Sequence, residues 1–193
     1  MVHEIVIPQL GVNDEFETIK VIKGQKVLLR QLKVSDVTQR YVDWLNDPEV
    51  NYFLSVRDTH QNMDMVKQYV LSYEGASNKC LLGIFDKQSN LHIGNITFST
   101  VDWKNGTAVT GIAIGDKSYW RGGYATEALS LVVDFSFLKL KLHRLEAGIS
   151  VNNIPSQKLF KKGGFVQEGI LKDREKFGSE YVDVLMVGLL NKR

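Results

Sequence analysis

Hydrophobic and polar positions alternate in the first patterned stretch of the chain. Residues 16–22 and 27–32 read as the two strands of a hairpin joined by Lys23, Gly24, Gln25 and Lys26. Ahead of them, residues 1–15 hold no clear period and read as a loose arm. The period then lengthens. Ser35 is a good N-cap for a helix in which Val37, Tyr41, Trp44 and Leu45 recur on one face. Pro48 stops it, because the residue before a proline is pushed out of the helical region. A second helix is expected over 62–74, with Val66, Tyr69, Val70 and Tyr73 aligned and Gly75 at its end. Strands are expected at 79–86, 92–100 and 108–114, followed by a long helix at 124–138 whose packing stripe is Ala125, Ala128, Leu129 and Val132. A strand at 144–151, a short helix at 154–162 and a hairpin of 166–172 with 181–190 complete the pattern. This order predicts a mixed α/β fold with helices packed on a twisted sheet.

Composition narrows the reading without changing it. A chain of 193 residues, 44% apolar, can bury a full core without disulfides or metals, and one domain over 16–193 is the simplest expectation. The net charge is +2 with lysines and arginines scattered, apart from the Lys161–Lys162 pair, so nucleic acid is not an expected partner. No apolar run reaches about 18 residues, so no membrane span is expected, nor is a secretion leader. The single Cys80, flanked by Leu81 and Leu82, reads as a buried structural thiol in a reducing, cytoplasmic setting. No cluster has metal-ligand spacing, so no metal is expected.

Chemistry enters between Ala113 and Ala128. A strand ends there, a helix begins, and Arg121, Gly122 and Gly123 form a turn with little side-chain bulk at its centre. Adjacent glycines allow positive φ and close approach of a ligand to the main chain, and the helix N-terminus beyond offers free N–H groups to a phosphate. A plain strand-to-helix turn would look the same. A dinucleotide-binding turn would not, because it needs a different glycine spacing after the first strand of a strand–helix–strand unit. About thirty residues on, a second block runs from Leu145 through Asn153 and Ser156 to Phe165.

These two blocks, in this order and at this separation, resemble the GNAT acetyltransferases, most closely their ribosomal-protein N-terminal acetyltransferase-like branch. The resemblance covers the chain from about Gly24 to Leu190. It implies a splayed, mostly antiparallel central sheet flanked by helices, with acetyl-CoA as co-substrate. By that resemblance, Ile112, Ala113 and Ile114 hold the pantetheine arm, and Arg121, Gly122, Gly123, Tyr124, Ala125 and Thr126 cradle the pyrophosphate. Asn153 contacts the pantetheine, and the Ser156 hydroxyl lies near the departing sulfur. Three positions depart from the pattern. Trp120 stands where Gln or Arg is usual, Phe160 replaces a tyrosine that serves as general acid, and the strand glutamate is absent at Val109 and Thr110.

Glu146 shares a strand face with Arg144, Gly148 and Ser150, so it either points at the acceptor cleft as a base or pairs with Arg144. Tyr52, Phe53 and Arg57 are the candidates for the acceptor wall. The expected reaction is N-acetylation of a primary amine on a small molecule or peptide. Arg57, Lys172 and Arg174 favour a nucleotide-linked amino sugar, with a protein N-terminus as the alternative. A near-neutral charge argues mildly against a strongly cationic acceptor such as a polyamine. An inactive CoA-binding regulator is the competing class, and a homodimer is left open.

Overall fold

The computed structural model describes Phe16 and residues 21–192; the N-terminal arm lies outside the described residues. Eight strands form one sheet: β1 (Ile22–Lys23), β2 (Val27–Gln31), β3 (Cys80–Asp86), β4 (His92–Asp102), β5 (Thr107–Ile114), β6 (Arg144–Ser150), β7 (Val166–Phe177) and β8 (Glu180–Leu190). Their order is β1-β2-β3-β4-β5-β6-β8-β7, and every neighbouring pair is antiparallel except β5 with β6. The mixed α/β architecture read from the sequence is the one observed, with helices on both faces of the sheet.

On one face lie α1 (Gln39–Asn46), the short α2 (Pro48–Asn51) and α3 (Met63–Leu71). Tyr41, Val42, Trp44, Val66 and Val70 of these helices pack with Leu32, Leu81 and Phe85 in one apolar cluster. On the other face lie α4 (Tyr124–Leu138) and α5 (Ile154–Lys162). Here Ala128, Leu129 and Val132 of α4 and Phe160 of α5 pack on Ile96, Ala108, Leu145 and Ala147. Leu145 has no exposed surface, and cutting it to alanine costs about 2–5 kcal/mol by lost burial and the cavity left behind.

Several boundaries differ from the sequence reading: residues 17–20 of the expected first strand lie outside the described residues, with β1 at Ile22–Lys23, α3 ends at Leu71, and β4 runs on to Asp102. Ser35 falls in a single 3-10 turn, Val34–Asp36, and the true cap of α1 is Thr38, whose side chain accepts from the Tyr41 N–H at 3.4 Å. The 3-10 turn forms because the Asp36 carboxylate folds back on the Lys33 N–H at 2.9 Å and on Arg30 at 2.7 Å. Pro48 does end α1, with Asp47 extended before it, but it also starts α2, where its missing N–H costs nothing and Asp47 caps the Glu49 N–H at 2.9 Å. The closing hairpin is longer than expected. β7 runs on to Phe177 past an irregularity between Leu171 and Glu175 that the sequence pattern read as the strand's end.

Candidate active site

β5 and β6 pair at only three positions: Thr107 with Arg144, Ala108 with Leu145, and Val109 with Glu146. Beyond them β5 stays on β4 as far as Ile114, and β6 stays on β8 as far as Ser150. The sheet therefore opens into a wedge between residues 110–114 and 147–150. Successive residues of a strand turn their main-chain groups to opposite sides. Gly111 and Ala113 face β4: Thr97 Oγ1 donates to Gly111 O at 3.3 Å, and a Cβ on Gly94 would meet Ala113 O at 2.4 Å. Thr110, Ile112 and Ile114 then face the wedge. Ile114 O accepts from the Trp120 indole N–H at 2.8 Å, which pins the turn to the end of β5 and gives Trp120 a structural use.

The wedge leads to the glycine turn. Arg121 and Gly123 both take left-handed φ, 60° and 86°, and Gly123 is the N-cap of α4 with no side chain to satisfy the first N–H groups. A Cβ placed on Gly123 would find nothing closer than Lys26 Nζ at 3.7 Å, so the space over the turn is open. Exposed main chain, a helix N-terminus and a nearby ammonium suit a phosphate or pyrophosphate. Tyr124, Ala125 and Thr126 form the first turn of α4, with the Tyr124 ring edge-on to Tyr119 at 4.9 Å.

Across the wedge, α5 follows directly on β6. Asn153 N–H donates to Ser150 O at 2.9 Å, and its side-chain oxygen accepts from the Ser156 N–H at 3.2 Å, making it the cap of α5. The half-buried Ser156 hydroxyl makes no hydrogen bond among the described residues. Phe160, in the place of the expected acid, is 3% exposed and packs edge-on to Phe165 at 4.9 Å, so this position belongs to the core.

Of the two alternatives for Glu146, the ion pair is present: Arg144 Nε donates to Glu146 Oε1 at 2.5 Å. The same guanidinium grips both oxygens of Glu168 on β7, one at 2.8 Å. The bonds to Glu168 and then Glu146 raise the Arg144 pKa further, and Arg144 in turn holds the Glu168 carboxyl below its usual range. Glu168 escaped the sequence reading because strand pairing, not spacing, brings it to Arg144.

Tyr52, Phe53 and Arg57 do come together, around Phe177 at the end of β7. Tyr52 and Phe53 meet at 4.8 Å, and both rings face Phe177, at 5.7 and 6.2 Å. The Arg57 guanidinium lies 3.7 Å from the centre of the Phe177 ring and donates to Leu54 O at 3.2 Å and to Lys176 O. Lys172 is paired with Asp183 at 2.7 Å. Beside α1 and α2 lies a separate cleft of about 700 Å³ lined by Asp43, Asp47, Glu49, His60 and Lys117 among others. Lys117 spans from there to the chain after β5, pairing with Asp47 at 2.7 Å and Glu49 at 3.1 Å. Among the described residues no group of three or more His, Cys, Asp or Glu side chains could hold a metal ion, and no helix is long and apolar enough to cross a membrane.

Comparison with known proteins gives the family and the fold. The family model described as an acetyltransferase (GNAT) domain matches residues 26–166. An uncharacterized N-acetyltransferase, p20, from Bacillus licheniformis is 33% identical over 178 residues, 90% of this chain and 98% of its own. Among solved structures, the ribosomal-protein alpha-N acetyltransferase RimL, in complex with coenzyme A, superposes with a TM-score of 0.81 at 19% identity, covering 89% of this chain and 98% of its own. A spermidine N-acetyltransferase from Vibrio cholerae, solved with CoA and spermine, gives 0.77 at 20% identity over 86% and 96%. At these identities the two structures speak for the fold alone.

Proposed function

Because this chain belongs to the GNAT acetyltransferase family and is an N-acetyltransferase, we propose that it draws its acetyl group from acetyl-CoA bound in the β5–β6 wedge. The wedge carries this reading: a strand edge that β6 leaves unpaired, at Ile112 and the Ile114 N–H, leads straight to an open helix N-terminus at Gly123. Main-chain groups of the edge hold the pantetheine arm in place of a missing strand. The N–H groups of residues 123–126, with Arg121 beside them, take the pyrophosphate.

Acetyl-CoA supplies an acyl group on a thioester. The amine nitrogen forms the new C–N bond as the C–S bond breaks, the amine proton passes to water, and the thiolate leaves. Ser156 donates a hydrogen bond to that sulfur, which needs the hydroxyl to have no other partner. Glu146 serves as the anchor of Arg144 and not as the base, because its carboxylate is already held. An amine in a partly apolar cleft loses its proton more readily, so water suffices as acceptor.

The acceptor amine rests against Tyr52, Phe53 and Phe177. The preference for a nucleotide-linked amino sugar depended on Arg57, Lys172 and Arg174 being free to meet phosphates. Arg57 and Lys172 are engaged within the protein, which favours an acceptor without phosphates, such as a protein N-terminus. A mass-spectrometric screen of acetyl-CoA against N-terminal peptides, nucleotide-linked amino sugars and polyamines tests the choice. Acetylation of peptides ahead of the others is expected, and turnover confined to sugar nucleotides would reverse it.

A further inference from the structure

The β1–β2 turn reaches the glycine turn from the far end of the chain. Lys26 Nζ donates to Gly122 O at 2.8 Å, and it is the nearest atom to where a Cβ on Gly123 would stand. We propose that Lys26 is a phosphate-binding residue of the donor site and that Glu127 is the positioning residue that holds it there. This rests on the reading that residues 123–126 take the donor's phosphates.

The placement is built, not incidental. Glu127, in the first turn of α4, accepts the Lys26 N–H at 2.9 Å and the Gln25 N–H with its other oxygen. The β1–β2 turn is closed by Gly24 N–H on Val27 O at 2.8 Å, and Lys87 Nζ clasps Gly24 O at 2.9 Å from behind. Gly24 leaves room for this contact, since a Cβ there would stand 2.7 Å from Glu127 Oε1 and 2.9 Å from Leu131 Cδ1 and would push both side chains aside.

Glu127 is the acidic group of the first turn of α4, where a carboxylate would otherwise compete with an incoming phosphate for the helix N-terminus. Its two oxygens are instead committed to main-chain N–H groups of the β1–β2 turn. That commitment brings the Lys26 ammonium to the same place. An ammonium has three donors, and Gly122 O takes one. Among the described residues no carboxylate pairs with Lys26, and its side chain is exposed beside the Tyr124 ring at 5.7 Å. Two donors are therefore available to an anion lying over Gly123.

Calorimetric titration with CoA at low and high salt tests the assignment, using the full chain, Lys26→Ala, Lys26→Arg and Glu127→Gln. Losing a charge-assisted contact to phosphate should weaken CoA binding by about tenfold at low salt. Lys26→Ala should also flatten the salt dependence of binding, since one fewer cation meets the phosphates. Lys26→Arg should recover most of the affinity, and Glu127→Gln should lose an intermediate amount. CoA affinity of Lys26→Ala within twofold of the parent would overturn the proposal. So would a loss of affinity with an unaltered salt dependence, which would make the role one of shape alone. A parent protein that binds no CoA at either salt would instead defeat the donor assignment itself.

Discussion

Val109 and Glu146 are the last residues at which β5 and β6 face each other, and from that pair the sheet divides. The division is maintained from outside. Arg144, two residues before Glu146, ties β6 to Glu168 on β7, while β5 stays paired with β4 as far as Ile114. Each strand is thus committed to its outer neighbour, and the inner edges are left for a ligand.

Replacing Gly123 with valine should weaken CoA binding by at least tenfold. The left-handed φ of 86° strains a β-branched residue by about 1–2 kcal/mol, and its side chain would stand where a phosphate meets main chain. Titration of the variant alongside its melting temperature separates the two effects. A variant that melts lower yet binds CoA as the parent does would contradict the placement of the phosphates.

Ser156→Ala should lower kcat by about tenfold to a hundredfold while leaving KM for acetyl-CoA within a few-fold, since a donor to the departing sulfur acts mainly as the bond breaks. Asn153→Ala should behave differently. It removes the cap of α5 and should cost about 1 kcal/mol of stability, seen as a lower denaturant midpoint.

Glu146→Gln should leave the shape of the pH–rate profile unchanged and reduce kcat by less than about tenfold, well below the roughly hundredfold that a general acid–base group contributes at least. Its main effect should be on stability, through the Arg144 cluster. Loss of the acidic limb of the profile would restore Glu146 as the base.

His92 gives the fold a pH dependence. Asn95 Nδ2 donates to the Tyr41 hydroxyl at 2.9 Å, which leaves Asn95 Oδ1 to accept from His92 Nε2 at 2.9 Å. His92 Nδ1 is then an acceptor with no hydrogen-bond partner among the described residues, buried beside Tyr41, Trp44 and Phe85. Burial lowers the His92 pKa, against smaller opposing effects of Asn95, Gly94 and Asp36. The folded state thus favours neutral His92, so stability is complete above the unfolded pKa of about 6.5 and falls as pH drops below it. Denaturant midpoints at mildly acidic and neutral pH should show this loss in the parent and less of it in His92→Gln. Equal slopes in the two proteins would assign the effect elsewhere.

Element order was legible because hydrophobic periods of two and of about three and a half mark strands and helices whatever the tertiary context. The Gly122–Gly123 turn was legible for a related reason, since lack of side chain is itself a local signal. Local signals misled at Ser35, where the competing hold of Asp36 on Lys33 and Arg30 made a tight turn and moved the cap to Thr38. They were silent on Lys26 and Glu127, on Arg144 and Glu168, and on Phe177. Each of these meets its partner through sheet pairing or packing across a long stretch of chain, which no residue spacing encodes. The wedge itself was expected only by resemblance; three positions of pairing between β5 and β6 leave no mark in the residue pattern.

Hydrogen exchange with and without CoA is the decisive measurement for the wedge as donor site, because it reads the main-chain N–H groups that β6 leaves unpaired. New protection is expected at Ile112, Ile114 and residues 123–126, with little change in the cleft beside α1 and α2. Protection confined to that cleft, or none at saturating CoA, would contradict that assignment.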